Sequence, residues 1–370
     1  MIPLNRNLTT LTRSTIRVYT ALAKSIPDCV NLTIGEPDFD TPENIKEAAV
    51  AALGENRTHY APNLGNADLR QEIARLEQVR PEQVLITIGA TQSLFTALLG
   101  ILNPGEEVIV PTPGFGLYES IITVAGAKMI PLDISATDFQ IHGDALKALI
   151  TPKTKAIVLN SPNNPTGVIL NRESLEAVKQ AVLGKDIFVV CDNVYQGLSY
   201  GDCPDLSKDE ALKDQILLCQ SFSKPWSMTG WRIGYLICPE YVMDRLSLLS
   251  AAAITAVPTF IQEAALTALH TPADAMRETY RRRRDYVCGR LKAMGLDFPQ
   301  PEGAFYVFVD IRKFGLTSDE FCTRMIREAR VAMVPGSCFG TDGFIRLSYC
   351  YSDRELEEGL NRMEQFIKTL

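Results

Sequence analysis

Residues that could do chemistry follow directly on predicted apolar strands. Asp192 follows the strand Ile187–Cys191, and Lys224 comes four residues after the strand Ile216–Gln220. The carboxyl ends of parallel strands meet at one edge of a sheet, which is where open α/β sheets bind ligands. A carboxylate is costly to bury there without a cation, and a desolvated amine has a lowered pKa that makes it a nucleophile. The pattern therefore predicts a site with an acid and a nucleophilic amine.

Three more polar segments stand in comparable positions. Gly89-Ala90-Thr91 follows the strand Val84–Ile88 and opens a helix, and free N–H groups at a helix N-terminus suit a phosphate. The turn-rich stretch 160–167 follows the strand Ala156–Leu159, and its asparagines offer hydrogen bonds. Arg232 comes eight residues after the lysine. Each of these patterns alone also fits an ordinary capped helix or turn.

Together these groups match the needs of one cofactor, pyridoxal 5′-phosphate (PLP). That cofactor needs a lysine amine to form a Schiff base with its aldehyde and an anion to keep its ring nitrogen protonated, so that the ring accepts electrons. It also needs hydrogen-bond donors for its phosphate and an aromatic face on which its ring can stack. The sequence therefore predicts a PLP enzyme.

Longer motifs point in the same direction. The segment SFSKPWSMTGWRIGY, residues 221–235, resembles the lysine signature of the class I and II aminotransferases, which are PLP enzymes of fold type I. Further motifs stand in that family's order and spacing, and the resemblance extends from about residue 30 to 350. These motifs are GEPDFDTP (35–42), HYAPNLG (59–65), NSPNNPTG (160–167), DNVY (192–195), EGAFYVF (302–308) and FIRLSY (344–349).

The resemblance implies roles for the residues that would surround the cofactor ring. Lys224 would carry PLP as a Schiff base and would move the proton between the substrate Cα and the cofactor. Asp192 would pair with the pyridinium nitrogen. Tyr195 and Asn164 would hydrogen-bond the 3′-oxygen of the ring, and Phe115 would stack on the ring face.

The resemblance also implies how the phosphate and the substrate are held. Tyr60 would reach the phosphate from the neighbouring subunit, so that a complete site requires a homodimer. Arg346 would bind the substrate α-carboxylate as a bidentate fork, close to the Gly35 backbone and Asn164. The phosphate-binding residues within one subunit would be Ala90, Thr91, Ser221, Ser223 and Arg232.

One motif departs from the family pattern. Many relatives read Asp-Glu-Ile/Val-Tyr where this chain has Asp192-Asn193-Val194-Tyr195. The two residues with direct cofactor roles are kept, so we expect little loss of function. No metal site is expected, because the nine cysteines form no C-x-x-C pair and the three histidines are scattered.

Composition limits the partners that the protein could have. With 37 Lys and Arg against 44 Asp and Glu, the net charge is −7, which argues against a nucleic-acid partner. No apolar stretch reaches the length of about 20 residues that a membrane span needs, and the N-terminus has no signal-peptide pattern. The expectation is a cytoplasmic protein without a membrane partner. The run Arg281–Arg284 lies in an amphipathic helical pattern and is expected on a solvated helix face.

The elements that must position these residues form two groups. Short apolar strands alternate with helices from about residue 83, which predicts a three-layer α/β/α domain with a mostly parallel sheet, as in fold type I PLP enzymes. Past residue 270, strands and helices look segregated, as in a smaller α+β domain. We expect a large PLP-binding domain at 31–265 and a small domain formed by 1–30 together with 266–370.

The predicted reaction is transamination by a ping-pong Schiff-base mechanism between an L-amino acid and a 2-oxo acid, with glutamate and 2-oxoglutarate as one pair. Fold alone does not decide function, so rivals remain. A C–S β-lyase of the cystathionine β-lyase kind is the main one, followed by a γ-elimination like that of ACC synthase. The PLP-binding half of a transcription regulator is disfavoured, since about 30 residues precede the fold here. The donor amino acid is open, and Arg17 is a guess, from position alone, for the residue that binds its side chain.

Overall fold

In the computed structural model, which describes residues 2, 4–9, 11 and 15–370, strands alternate with helices along most of the chain. The α-helices of this part are α1 (Thr15–Lys24), α2 (Glu43–Gly54), α3 (Ala67–Glu77), α4 (Ala90–Ile101), α5 (Leu117–Val124), α6 (Gly143–Leu149), α7 (Arg172–Val182), α8 (Glu240–Ile254), α9 (Thr259–Leu269), α10 (Asp274–Ala293), α11 (Ser318–Arg324) and α12 (Asp353–Ile367). The strands are β1 (Val30–Asn31), β2 (Val84–Thr87), β3 (Glu107–Thr112), β4 (Lys128–Asp133), β5 (Thr154–Asn160), β6 (Phe188–Asp192), β7 (Ile216–Ser221), β8 (Gly234–Ile237), β9 (Tyr306–Asp310), β10 (Val331–Ala332), β11 (Val334–Pro335) and β12 (Phe344–Ser348).

A seven-stranded sheet with the order β2-β8-β7-β6-β5-β3-β4 forms the centre of the molecule. Strands β3 to β7 pair in parallel, whereas β8 runs antiparallel to both of its neighbours, β2 and β7. Successive residues of the buried strands face opposite ways: Ile157 and Val189 belong to the core on one face, and Val158 and Val190 to the core on the other. Helices cover both faces, so the predicted three-layer fold with a mostly parallel sheet is confirmed.

The C-terminal part is built differently. Its antiparallel sheet has the order β11-β12-β9, and a third core joins this sheet to α1, α10 and α12. The first strand pairs in parallel with β10, through Val30 opposite Val331, which links the N-terminal segment to this part. The Tyr19 hydroxyl on α1 also donates to Asp319 Oδ1 on α11, at 2.6 Å. The cores share side chains across the join, since Phe308 and Phe344 pack into the core of the large sheet, so the proposed domain limits stay a prediction.

Two local features of the structure do not follow from the sequence patterns. Apolar periodicity does not indicate the edge strand β4, because Lys128 and Pro131 interrupt it. The arginine run was expected on a solvated face, and this is wrong for half of it. Arg281 and Arg282 are exposed, but the side chains of Arg283 and Arg284 keep only 8% and 16% of their surface in contact with solvent. A run of four residues on a helix turns through a full circle, so two of its members face the protein.

Two further features concern the apolar segments of the chain. Cys191, Cys219 and Cys238 are buried in the cores beside the large sheet, as small apolar side chains. Among the described residues, no helix has both the length and the apolar character that crossing a bilayer requires.

Candidate active site

A cavity of about 180 Å³ lies at the carboxyl ends of the central strands β5, β6 and β7. Strand direction explains its position, because parallel strands deliver the residues that follow them to one edge of the sheet. Ten of the thirteen predicted site residues line the cavity. They are Ala90, Thr91, Phe115, Asn164, Asp192, Tyr195, Ser221, Ser223, Lys224 and Arg232.

Lys224 lies just past the end of β7, and its amine is turned towards the N-terminal loop. Its Nζ donates a hydrogen bond to the Gly35 carbonyl oxygen at 2.6 Å. Burial lowers the pKa of this amine to about 8, and the guanidinium groups of Arg232 and Arg346 act in the same direction, whereas Glu36 opposes them. With a pKa of about 8, roughly a tenth of the amine is unprotonated at pH 7 and can act as a nucleophile or base.

Asp192 ends β6 and is almost fully buried, at 3% exposure. Its Oδ2 accepts a hydrogen bond from the Tyr118 hydroxyl at 2.6 Å, and its backbone carbonyl accepts one from Asn160 Nδ2 at 2.9 Å. Within the described part of the chain, Oδ1 is buried and has no hydrogen-bond partner. Burial raises the pKa of the carboxyl to about 6, although the Tyr118 hydrogen bond opposes the rise. The carboxylate thus has one oxygen fixed by the protein and one open to a ligand.

Two tyrosines connect the sheet edge to Arg346 on β12. The hydroxyls of Tyr195 and Tyr306 lie 2.9 Å apart, and the Arg346 guanidinium stacks over the Tyr306 ring at 4.4 Å. Arg346 is 2% exposed, and it donates to Asn164 Oδ1 at 2.8 Å and to the Thr33 carbonyl. Its Nε is buried and, among the described residues, has no acceptor. The guanidinium is therefore fixed in orientation but keeps hydrogen-bonding capacity.

A cluster of donors surrounds the start of α4. The N–H groups of Ala90 and of the next residue lie in the first turn, where a helix offers them no partner of its own. Arg232 lies beside them, with Nη1 donating to the Thr229 carbonyl at 2.7 Å. Gly89 has a φ of +83°, which favours glycine, and a Cβ there would lie 2.5 Å from Arg232 Nη2 and displace the guanidinium. Ser221 Oγ accepts from the amide of Ser223 at 3.0 Å on the adjacent strand end.

The remaining predicted residues lie at the edges of this site or away from it. Phe115 is partly buried and meets the Tyr118 ring edge-on, with 6.0 Å between the ring centroids. Tyr60 is 90% exposed and lines a separate cavity of about 580 Å³ together with residues 256–260. Arg17 is exposed on α1. One chain therefore brings together the predicted residues except Tyr60, and Gly35 and Arg346 join through their contacts with Lys224 and Asn164.

Sequence reasoning missed three contacts of this site. Tyr118 fixes Asp192, and Tyr306 joins Tyr195 to Arg346. The residue that departs from the family pattern, Asn193, donates through Nδ2 to Asp205 Oδ1 at 3.1 Å. A signal existed for Tyr306, which stands in the EGAFYVF motif, and for Tyr118, which follows Phe115 by almost one helical turn. Nothing in the sequence singled out position 205.

Comparison with known proteins agrees with this geometry. The family model described as aminotransferase class I and II matches residues 27–363. The chain is 40% identical to the probable N-acetyl-LL-diaminopimelate aminotransferase of Bacillus subtilis, covering 96% of this chain and 93% of that protein. It is 38% identical to the aromatic-amino-acid aminotransferase 2 of Thermococcus litoralis, covering 96% of each chain. The solved structure of the Thermus thermophilus aspartate aminotransferase with maleate superposes with a TM-score of 0.94, at 36% identity, over 99% of this chain and 100% of that one.

Proposed function

The chain belongs to the class I and II aminotransferase family and is an aminotransferase; from that premise we propose that PLP is its cofactor and that glutamate and 2-oxoglutarate form one of its substrate pairs. One observation carries the proposal. The lysine amine and a buried carboxylate with one unpartnered oxygen line the same cavity. An amine and an anion are the two groups that the two reactive positions of PLP require.

The residues of the cavity fit this cofactor at both of its ends. Asp192 Oδ1 would accept a hydrogen bond from the ring nitrogen, which would satisfy a buried atom that otherwise costs free energy. The first turn of α4, Ser221, Ser223 and Arg232 would hold the phosphate, since N–H donors and a cation converge there. When bound, PLP supplies an aldehyde that condenses with amines and a ring that accepts electrons from the substrate Cα.

Arg346 supports the proposal that the substrate is an amino acid. Its guanidinium is fixed by Tyr306, Asn164 and the Thr33 carbonyl, so little side-chain entropy is lost when a carboxylate binds. We propose that it binds the α-carboxylate as a fork. That contact would hold the Cα–H bond at a fixed angle to the cofactor ring, which is catalysis by orientation.

Lys224 is proposed as the base and acid of the reaction. With its pKa lowered by burial to about 8, Nζ can take a proton from the substrate Cα at neutral pH and release it again one step later. Tyr195, hydrogen-bonded to Tyr306, is proposed to hold the ring oxygen. Lys224 and Tyr195 are enclosed at the strand ends, which limits the water that could compete for the proton.

We further propose that the enzyme is a homodimer and that Tyr60 acts across the subunit interface. Tyr60 is 90% exposed beside a wide cavity, and a large aromatic side chain in that position suits a protein–protein contact. The cytoplasmic location stays a prediction from the sequence. The relatives' names refer to aspartate, aromatic amino acids and acetyl-diaminopimelate, and we propose that the donor lies among these classes of amino acid.

The test is an assay that separates the rival reactions. The purified protein with added PLP is incubated with 2-oxoglutarate and a panel of amino donors, and separately with cystathionine. We expect glutamate to form with at least one donor of the named classes, through two half-reactions that can be followed separately. Pyruvate and ammonia from cystathionine, without glutamate from any donor, would refute the proposed substrate pair and favour the β-lyase.

A further inference from the structure

Arg283 stands out from the rest of its arginine run because it is enclosed by carboxylates. It lies on α10 with 8% of its side chain exposed. Nη1 and Nη2 donate to the two oxygens of Asp38 at 2.7 and 2.8 Å, and Nε donates to Asp353 Oδ1 at 2.8 Å. By contrast, its neighbour Arg281 is exposed and pairs with Glu278 one turn away on the same helix. With three hydrogen bonds to two carboxylates, the Arg283 guanidinium fixes the relative positions of segments that are distant in the sequence.

Aromatic rings hold the guanidinium in place from the side. It lies 5.5 Å from the Phe39 ring centroid and 5.9 Å from that of Tyr280, and those two rings meet edge-on at 5.5 Å. Cation–π contact adds to the ion pairs where water is excluded. Tyr280 in turn packs against Phe305, whose ring lies 5.7 Å from the Lys224 amine. Arg283 is therefore connected to the surroundings of Lys224 through packed aromatic rings.

Asp38 belongs to the loop that contacts the lysine directly. Three residues earlier, the Gly35 carbonyl accepts the hydrogen bond from Lys224 Nζ. Between them, Glu36 accepts from the Thr229 hydroxyl at 2.6 Å, and Pro37 restricts the backbone. A displacement of Asp38 would therefore be transmitted through few soft dihedral angles to the Gly35 carbonyl.

We propose that Arg283 is a positioning residue for the reaction, because it anchors the loop 35–38 to α10 and α12 and thereby keeps the Gly35 carbonyl within hydrogen-bonding distance of Lys224. The inference rests on the proposed role of Lys224 and adds to it. Arg283 does not touch substrate or cofactor; it acts through Asp38. Asp353 completes the anchor by holding Nε from the first turn of α12.

Loss of the anchor has a direction that can be worked out. The Gly35 carbonyl accepts a hydrogen bond most strongly from the ammonium form of Lys224, so it favours that form. The other groups that act on the amine are Glu36, Cys350 and Asp192, which favour the ammonium form, and Arg232 and Arg346, which oppose it. Burial is the largest cause of the lowered pKa, and the end of β7 and the Phe305 ring still cover the amine when the loop shifts. The displacement of Gly35 and Glu36 therefore sets the direction, and it lowers the pH at which the amine loses its proton. The expected shift is about one pH unit, since hydrogen bonds to charged groups are worth about that much.

The experiment compares Arg283→Gln with Arg282→Gln on the same helix. Arg282 is exposed and reaches Asp353 but not the loop, so its replacement is a matched control. The readout is the pH midpoint with which cofactor-free protein captures added PLP, followed by the visible absorption of the bound cofactor. Amide hydrogen exchange of the peptide spanning residues 33–41 is measured on the same samples.

We expect Arg283→Gln to shift the midpoint to lower pH by about one unit and to raise exchange in the loop at least tenfold, while Arg282→Gln leaves both unchanged. Arg283→Lys keeps the charge but not the fork, and we expect a smaller shift. Asp38→Asn removes the charge and one of the two acceptor oxygens on the loop side of the anchor, while Arg283 keeps Asp353. We expect a shift in the same direction as that of Arg283→Gln, which can be measured even if the latter variant does not fold.

An unchanged midpoint in folded Asp38→Asn would overturn the inference, and so would an equal shift in Arg282→Gln. A fall in thermal stability without a change in midpoint or in loop exchange would mean that Arg283 is only structural. Failure of the proposed function looks different, because then the unmutated protein would show no visible band with PLP at any pH.

Discussion

The two sides of the active-site cavity are built in different ways. On the sheet side, Asp192 and Ser221 end neighbouring parallel strands, and Lys224 follows three residues later. On the other side, Gly35 and Arg346 are held by loops and by the antiparallel sheet of the C-terminal part. The first side is set by strand order. The second is set by side-chain contacts between residues that are 182 to 313 positions apart.

This difference separates two tasks. The groups that would hold the cofactor lie on the rigid centre of the molecule, where backbone hydrogen bonds fix each strand end. The groups that would meet the substrate lie on the loop that the Asp38–Arg283 ion pair holds and on β12 of the smaller sheet. Substitutions on the sheet side should therefore abolish cofactor binding or chemistry. Substitution of Arg346 should change substrate handling, whereas substitutions that release the Gly35 loop should act on Lys224.

The largest effect is expected from Lys224→Ala. Loss of the amine removes both the attachment point and the proton carrier, so turnover should fall by at least about 10³-fold, and the visible band that borohydride fixes should disappear. Lys213→Ala, which removes an exposed lysine ahead of β7, is the matched control. A retained band together with retained turnover would contradict the assignment of Lys224.

Arg346→Lys should give the next largest effect and should act on the substrate only. A lysine cannot reproduce the fork and cannot serve the Asn164 oxygen, the Thr33 carbonyl and a substrate carboxylate at once, so kcat/KM for amino acids should fall by about 10²-fold. The visible band of the bound cofactor should remain. Measurement with an amine that lacks a carboxylate provides the control, because its rate should not change. An equal fall in kcat/KM for that amine would contradict the proposal that Arg346 binds the substrate carboxylate.

Asp192→Asn should reveal the stability cost of the buried carboxylate on the sheet side. The carboxyl has a pKa of about 6 in the folded state and a lower one when unfolded, so the folded state binds the extra proton between these values. Stability of the cofactor-free protein therefore falls as pH rises towards 6, and the cost stays constant above it. We expect the variant to be more stable above pH 6, by at most about 3 kcal/mol, and equal to the unmutated protein below about pH 4. Denaturant unfolding without cofactor at both pH values measures this.

The smallest effect is expected from Asn193→Glu, which restores the residue that many relatives carry. Here the new carboxylate would face Asp205 in place of the present hydrogen bond of 3.1 Å, so stability should fall by about 1–2 kcal/mol. Adding Asp205→Asn should recover most of the loss, and the double-mutant cycle isolates the pair. If Asn193→Glu lowers stability equally with and without Asp205→Asn, repulsion between the two carboxylates is not the cause.

The fold and the sheet side of the cavity were largely predictable from the sequence. A strand and the polar residue that follows it are adjacent in the chain, so apolar runs locate both, and the motif spacing identifies the family. Tyr118 and Tyr306 carried a sequence signal, but the residues that Tyr118, Tyr306 and Arg283 contact were not predictable. Each contact joins residues about 70 to 245 positions apart, and local patterns contain no information on such pairs. Arg283 was even assigned to solvent, because its run of like charges resembles an exposed face.

The reversed strand β8 has a consequence for how such an enzyme can change. Lys224 and Arg232 lie in the single connection between β7 and β8, and the antiparallel pairing of Ser221 with Gly234 clamps both ends of it. The distance between Lys224 and Arg232 is thus set within one short hairpin-like unit. It does not depend on the C-terminal part of the molecule. The surrounding loops and the C-terminal part can therefore be altered for new substrates, by evolution or by design, while the β7–β8 unit stays the same.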